Sequence, residues 1–173
     1  MTNDFDAIYQ LMENSFPKNE IRTYEEMKKQ ITDDRFRFIT KYKNDTLIAL
    51  LGLWGLENCQ FVEYLAISEN EQGSGLGSSM MTELLQRTSK VILLEVEPPV
   101  DTQSRKRVVF YERLGFHLNT RYYSIPPLRE GETDLELKLM SYPKMLTDYE
   151  FEDYKNELFQ ELYLADVQRD KKP

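Results

Sequence analysis

Residues 61–90 read FVEYLAISEN EQGSGLGSSM MTELLQRTSK, and this stretch decides the fold. Phe61 to Ile67 is an apolar run rich in β-branched and aromatic residues, the kind that suits a buried strand. Ser68 to Gln72 is polar, and glycines then alternate at Gly73, Gly75 and Gly77. Behind them Leu76, Met80, Met81, Leu84 and Leu85 recur at helical spacing, so the glycines sit where a strand hands over to the first turn of a helix. Glycine adopts positive φ and lets backbone approach a ligand, while the free amides and dipole of a helix start favour an anion such as phosphate. The plainer reading is a tight turn, but three spaced glycines exceed what a turn requires.

Three phosphate-binding patterns compete for this loop. A Walker A loop needs lysine directly after its last glycine, and Gly77 is followed by Ser78 and Ser79. The dinucleotide fingerprint matches Gly73 and Gly75, with Ser78 in the third place and Glu95 near the acidic position, yet five polar residues separate strand from glycine. The third pattern fits more of the chain. Gln72-Gly73-Ser74-Gly75-Leu76-Gly77 resembles the Gln/Arg-x-x-Gly-x-Gly/Ala signature of the GNAT superfamily of N-acetyltransferases. Phe110-Tyr111-Glu112-Arg113-Leu114-Gly115-Phe116 resembles that family's second signature, in the expected order and with a strand between. The resemblance covers roughly residues 1–142, leaving 143–173 as a C-terminal helical extension. It implies an α/β fold with a mixed, mostly antiparallel central sheet of about seven strands flanked by helices. It also implies acetyl-CoA as acyl donor and a primary amine, on a small molecule or peptide, as acceptor.

At 173 residues the chain is long enough for one domain with a sizeable core. Its net charge of −8 argues against nucleic acid, whose binding needs a basic face, and weakly favours a cationic acceptor. Half of that charge lies in residues 146–173, which carry eight acidic side chains against four basic. No apolar run approaches the ~20 residues of a membrane span, and no charged-then-apolar leader opens the chain, so the expected location is the cytoplasm. A single cysteine, Cys59, and a single histidine, His117, give no disulfide and no metal cluster.

Taken in order, Phe5, Ile8, Leu11 and Met12 predict a helix ended by Pro17. Thr23 and Glu26 form a capping box for a second helix, with Met27 and Ile31 as its core face. Asn44-Asp45 joins strands Arg35–Lys43 and Thr46–Leu56 in a hairpin, and Gln60–Ser68 is the central strand. Val91–Val96 follows as its parallel partner, then a helix over Arg105–Leu114, then a closing hairpin of Phe116–Ser124 with Thr133–Met140. Leu146 to Lys172 carries apolar residues at helical spacing; it reads as a docked helix or as a homodimer contact.

Acyl transfer to an amine needs a bound thioester, a neutral nucleophile, an oxyanion support and a proton for the departing thiolate. The resemblance assigns the pyrophosphate to the amides of Gln72, Gly73, Ser74, Gly75, Leu76 and Gly77, with Ser78, and the pantetheine arm to the strand at Leu65, Ala66 and Ile67. Tyr111 matches the family tyrosine that protonates the sulfur; the alternative is helix packing beside Phe110. Ser104 stands where the family often has an asparagine bonded to CoA. The base is a carboxylate or water alone: Glu63 is one candidate and Glu97 another, since Glu95 and Glu97, spaced by two on one strand face, are like charges that could raise a pKa; each of that pair could instead bond Arg105 or Arg107. The same loop would also suit an acyl-CoA-responsive binding protein that has lost turnover. The acceptor contacts are expected from Ser15–Arg22, Glu57–Gln60 and Ile125–Thr133.

Overall fold

The computed structural model describes residues 4–163. They form two compact units: one holds the chain through Leu94 together with Leu128–Glu132, the other holds Glu95–Pro127 and the chain from Thr133.

In the first unit, helix α1 (Asp4–Ser15) and the short α2 (Tyr24–Gln30) precede strands β1 (Phe36–Lys43), β2 (Thr46–Gly55) and β3 (Cys59–Ile67). The two β1–β2 turn residues, Asn44 and Asp45, have φ of 48° and 60°, the left-handed pair that a two-residue hairpin turn demands. Phe5, Ile8, Leu11 and Met12 of α1 bury against Ile21, Met27, Leu50, Tyr64 and Ala66, so the helix covers one face of β2 and β3. Ile31 departs from expectation: α2 stops at Gln30, and Ile31 is 40% exposed as its C-cap. A seven-residue helix has room for one inward-facing position, and Met27 takes it.

Helix α3 (Leu76–Arg87) then returns the chain to β4 (Val91–Val96), which pairs parallel to β3 from Cys59–Val91 to Val62–Leu94. That ladder stops at Val62. Beyond it, Tyr64 to Ile67 pair with β2 alone among the described residues. The β2–β3 register also slips between Gly52 and Leu53, whose partners are Tyr64 and Val62, so Glu63 is the extra residue of a β-bulge.

The second unit holds α4 (Thr102–Arg113), two short strands β5 (His117–Leu118) and β6 (Tyr123–Ile125), the strand β7 (Leu135–Tyr142) and helix α5 (Asp148–Leu158) with a π-helical turn at Phe159–Tyr163. The expected closing strand Phe116–Ser124 is broken in two, both halves antiparallel to β7. Asn119 is the cause: its Nδ2 donates to the Leu139 carbonyl and to Ser141 Oγ, and its Oδ1 accepts from Leu146 N–H. Phe151 and Leu158 of α5 are buried, and Tyr123 meets both Phe151 and Phe159 edge-on, so this helix docks within its own unit. Expectations for residues beyond 163 lie outside the described residues. The strands run β1-β2-β3-β4-β7-β5 with β6 also on β7, one mixed, mostly antiparallel sheet of seven.

Candidate acyl-CoA site

The expected residues fall into two sets, one in each unit. In the first, β3 ends at Ile67 and Ser68 N–H donates to the Ile48 carbonyl, anchoring the chain before it leaves the sheet. A single 3-10 turn over Glu69–Glu71 follows. Glu71 is held by Lys43 Nζ at 2.7 Å, and its carbonyl accepts from Ser74 Oγ at 2.6 Å. Gln72 folds its side-chain amide back onto the Ile67 carbonyl at 3.3 Å. Gly73 and Gly75 take φ of 77° and 83° with open space where a Cβ would stand, so they are glycine for conformation and not for crowding.

Helix α3 begins directly on Gly75. Its first intrahelical donor is Ser79 N–H, bonded to the Gly75 carbonyl at 3.0 Å, which leaves the amides of Leu76, Gly77 and Ser78 ahead of the ladder. No side chain caps this start and no acidic residue stands in its first turn. Amides, dipole and lack of negative charge make it suited to an anion. On the neighbouring strand, the edge of β3 at Leu65, Ala66 and Ile67 has no strand partner on its β4 side among the described residues, so backbone groups there, apart from the Ile67 carbonyl that Gln72 holds, can pair with an extended ligand.

Glu63 lies on the bulge, and its cost in an apolar strand is offset by partners the strand pattern did not reveal. Its Oε2 accepts from Trp54 Nε1 at 2.8 Å and Gln30 Nε2 at 2.6 Å. Its Oε1 faces Arg22 Nε at 3.9 Å, both side chains being 6% exposed. Arg22 Nε donates in turn to Gln30 Oε1 at 2.8 Å. Trp54 is buried in the core and also supplies this donor.

The second unit holds Tyr111, Ser104 and Glu97. Tyr111 is buried on α4 with its ring against Phe110 and Phe116, and its hydroxyl makes no hydrogen bond among the described residues. Burial pushes its phenol up to about 12, against a smaller opposing pull from Arg107. It is therefore a proton donor throughout the neutral range. Ser104 sits at the third position of α4 in a capping box: its N–H donates to Asp101 Oδ1 at 2.8 Å and its Oγ accepts from Asp101 N–H at 3.1 Å. That hydroxyl is engaged in holding the helix start. Glu97 follows β4 and lies 3.9 Å from Arg107, both side chains 36% exposed, a pairing of small energetic weight. Glu95 instead accepts from the hydroxyls of Tyr123 at 2.5 Å and Tyr163 at 2.8 Å, and burial plus this carboxylate raise the Tyr123 phenol well above its usual range. Arg105 bonds the Val100 carbonyl. Tyr163 and Tyr123 could not be found from the chain pattern, because nothing local pairs them with a residue 68 and 28 positions away.

Known proteins resemble this chain in sequence and in fold. The family model described as the acetyltransferase (GNAT) family matches residues 5–116, and the chain belongs to that family. YjbC of Bacillus subtilis (strain 168) is 27% identical over 158 residues, spanning 90% of this chain and 80% of its own length. A solved GNAT-family protein from Bacteroides thetaiotaomicron superposes with a TM-score of 0.82 at 27% identity, over 92% of this chain and 91% of that one. A GNAT family acetyltransferase from Elizabethkingia anophelis, solved with acetyl-CoA bound, shares the fold at a TM-score of 0.55 and 14% identity, over 77% of this chain and 88% of that one.

Proposed function

We propose that the chain transfers the acetyl group of acetyl-CoA to a primary amine by direct attack in a ternary complex. The observation that carries this is the uncapped start of α3, whose amides follow two left-handed glycines and whose first turn holds no acidic residue. In this reading the diphosphate binds the amides from Gln72 to Gly77 with Ser78, and the pantetheine arm pairs with the free edge of β3 at Leu65–Ile67. A strand amide there polarises the thioester carbonyl and supports the oxyanion that forms on attack. The amine nitrogen bonds to the acetyl carbon, the carbon–sulfur bond breaks, the thiolate takes its proton from the Tyr111 hydroxyl, and the surplus proton on the new amide nitrogen restores the Tyr111 phenol. The ammonium form of the acceptor first gives up a proton to a carboxylate. Among the described residues Glu63 Oε1 takes no hydrogen bond and lies 3.9 Å from Arg22 Nε, and it is the atom that can accept the proton through water; Glu97, with its side chain 36% exposed, is the second candidate. Ser104 contributes by holding the first turn of α4, the helix that carries Tyr111.

The test is release of CoA on mixing the protein with acetyl-CoA and a panel of amines, alongside melting temperature with and without CoA. Turnover with one amine class and a rise in melting temperature are expected. No release and no rise would remove the reading. A second reading, a binding protein that senses acyl-CoA without turnover, is favoured by the three groups engaged on Glu63. Tyr111→Phe and Glu63→Gln distinguish the two: a catalyst loses about 100-fold or more in rate, a sensor retains its CoA response.

A further inference from the structure

Two arginines of the first unit differ in their counter-charge. The Arg22 guanidinium has Glu63 beside it. Arg129, in the short segment Leu128–Glu132 of the same unit, has only neutral partners: Nε donates to the Ile21 carbonyl at 2.9 Å, and Nη2 donates to Tyr9 Oη at 3.2 Å and to the Arg22 carbonyl at 3.3 Å. Tyr9 is buried and its own proton goes to the Arg22 carbonyl at 2.9 Å, so its oxygen is committed to accepting from Arg129. Among the described residues no carboxylate pairs with Arg129, and its Nη1 makes no hydrogen bond.

A guanidinium stays charged at any working pH. Half-buried against carbonyls and a phenol, it keeps a full unit of charge that an anion would stabilise. Three bonds to residues more than a hundred positions away fix the plane of the group, so the Nη1 end is presented already oriented and binding costs little ordering. The surrounding chain carries a net charge of −8 and repels carboxylates in general, which makes one uncompensated, rigid cation selective in position. The same residue connects to the chemistry. Arg129 rests on the Arg22 main chain, and the Arg22 side chain faces Glu63 Oε1, the atom proposed above as proton acceptor.

We infer that Arg129 binds a carboxylate carried by the acceptor itself, so that the amine substrate is an amino carboxylic acid and not a simple amine or polyamine. This rests on the acetyl-transfer reading and names its substrate class.

The experiment uses the full chain with acetyl-CoA and two matched sets, the common L-amino acids and their carboxamides. Wild-type protein is expected to show a KM for its best amino acid about 10- to 100-fold below that of the matching amide, the effect of one charge-assisted pair. Arg129→Met brings the ratio close to one with the KM for acetyl-CoA unchanged, and Arg129→Lys, which keeps charge and loses the fork, gives an intermediate ratio. A residue that merely braces the segment would raise both KM values together and leave the ratio alone; that result, or a wild-type ratio near one, overturns the inference. A second measurement needs no turnover: the Arg129 Nε–H resonance, followed while N-acetyl amino acids or their amides are added. It is expected to move with the acids only, and a spectrum that ignores both or answers both equally overturns the inference. Loss of the acetyl-transfer reading has a separate signature, CoA that neither stabilises the protein nor is released from its thioester with any amine.

Discussion

Helices α2, α4 and α5 and helix α3 meet the same physical problem, a first turn of unpaired amides, and solve it in opposite ways. The first three close it internally. Thr23 with Glu26, Asp101 with Ser104, and Thr147 with Glu150 each form a reciprocal box in which the N-cap side chain accepts from the third residue's amide and the third side chain accepts from the N-cap amide. Helix α3 has Gly75 at its N-cap and Ser78 at the third position, and makes neither bond. Its start is held from outside: Ser68 bonded to Ile48, Lys43 on Glu71 and Ser74 on the Glu71 carbonyl keep the loop in place without touching the amides that follow Gly75. The difference separates a helix start that serves the fold from one left available to a ligand.

The largest effect comes from erasing that difference. Ser78→Glu gives α3 the acidic third residue that α2 and α5 have. The helix gains about 0.3–1 kcal/mol from the dipole, while a like charge beside the diphosphate costs several kcal/mol, or roughly 100-fold in CoA affinity. Denaturation and calorimetry on one variant should thus move in opposite directions. If CoA binds Ser78→Glu as tightly as wild type, the diphosphate is not at this helix start. Next in size is Gly75→Ala. A Cβ there meets nothing within 4 Å, so only the φ of 83° resists it, at about 1–2 kcal/mol. Relaxation of that strain turns the following amides, and CoA affinity is expected to fall about tenfold. A variant equally stable and equally competent would show that the left-handed turn is dispensable.

The closed starts should behave in the reverse sense. Thr23→Ala and Thr147→Ala each remove a cap and should lower stability by about 0.5–2 kcal/mol, read as a shift in urea midpoint, with CoA affinity unchanged. The Thr23 box was legible in the chain because its two partners lie three residues apart and their chemistry is local. The Asn44-Asp45 turn and the glycine loop were legible for the same reason. What could not be read is set by tertiary pairing. A bulge leaves no mark on composition, so Glu63 read as a candidate base in a regular apolar strand while the structure makes it the extra residue, with Trp54 and Gln30 as donors. The break between β5 and β6 depends on Asn119 reaching Leu139 and Leu146 across the unit, and an asparagine in a strand pattern signals only a weak interruption. Ile31 read as core because its spacing from Met27 is helical, but α2 ends one residue before it. Arg129 lies in a polar turn, and its partners are 107 to 120 positions upstream. Local chemistry thus marked the glycine loop, whereas the partners of Glu63 and Arg129 emerged only from contacts between distant segments.

The smallest effect tests whether the closed boxes act through charge. The Glu150 carboxyl is held below its ordinary value, chiefly by the hydrogen bond from Lys144 Nζ at 2.7 Å and then by the backbone bond within the Thr147 box. Asp101 is likewise lowered, mainly by the Ser104 amide. A folded-state pKa lowered in this way adds stability that is fully present above the unfolded value and is lost as pH falls through the folded one. For Glu150 the unfolded value is near 4.5. The stability gap between wild type and Glu150→Gln should therefore stay constant from pH 7 to about 5 and narrow as pH drops further. A gap that persists at pH 2 would mean that the box holds α5 by shape and neutral hydrogen bonds alone. The open start of α3 has no carboxylate in its first turn, so no comparable acid-sensitive increment is expected there. Acidification would then weaken the starts of α4 and α5 while leaving the uncapped one unchanged, a contrast that follows from which helices carry their own anion and which must receive one.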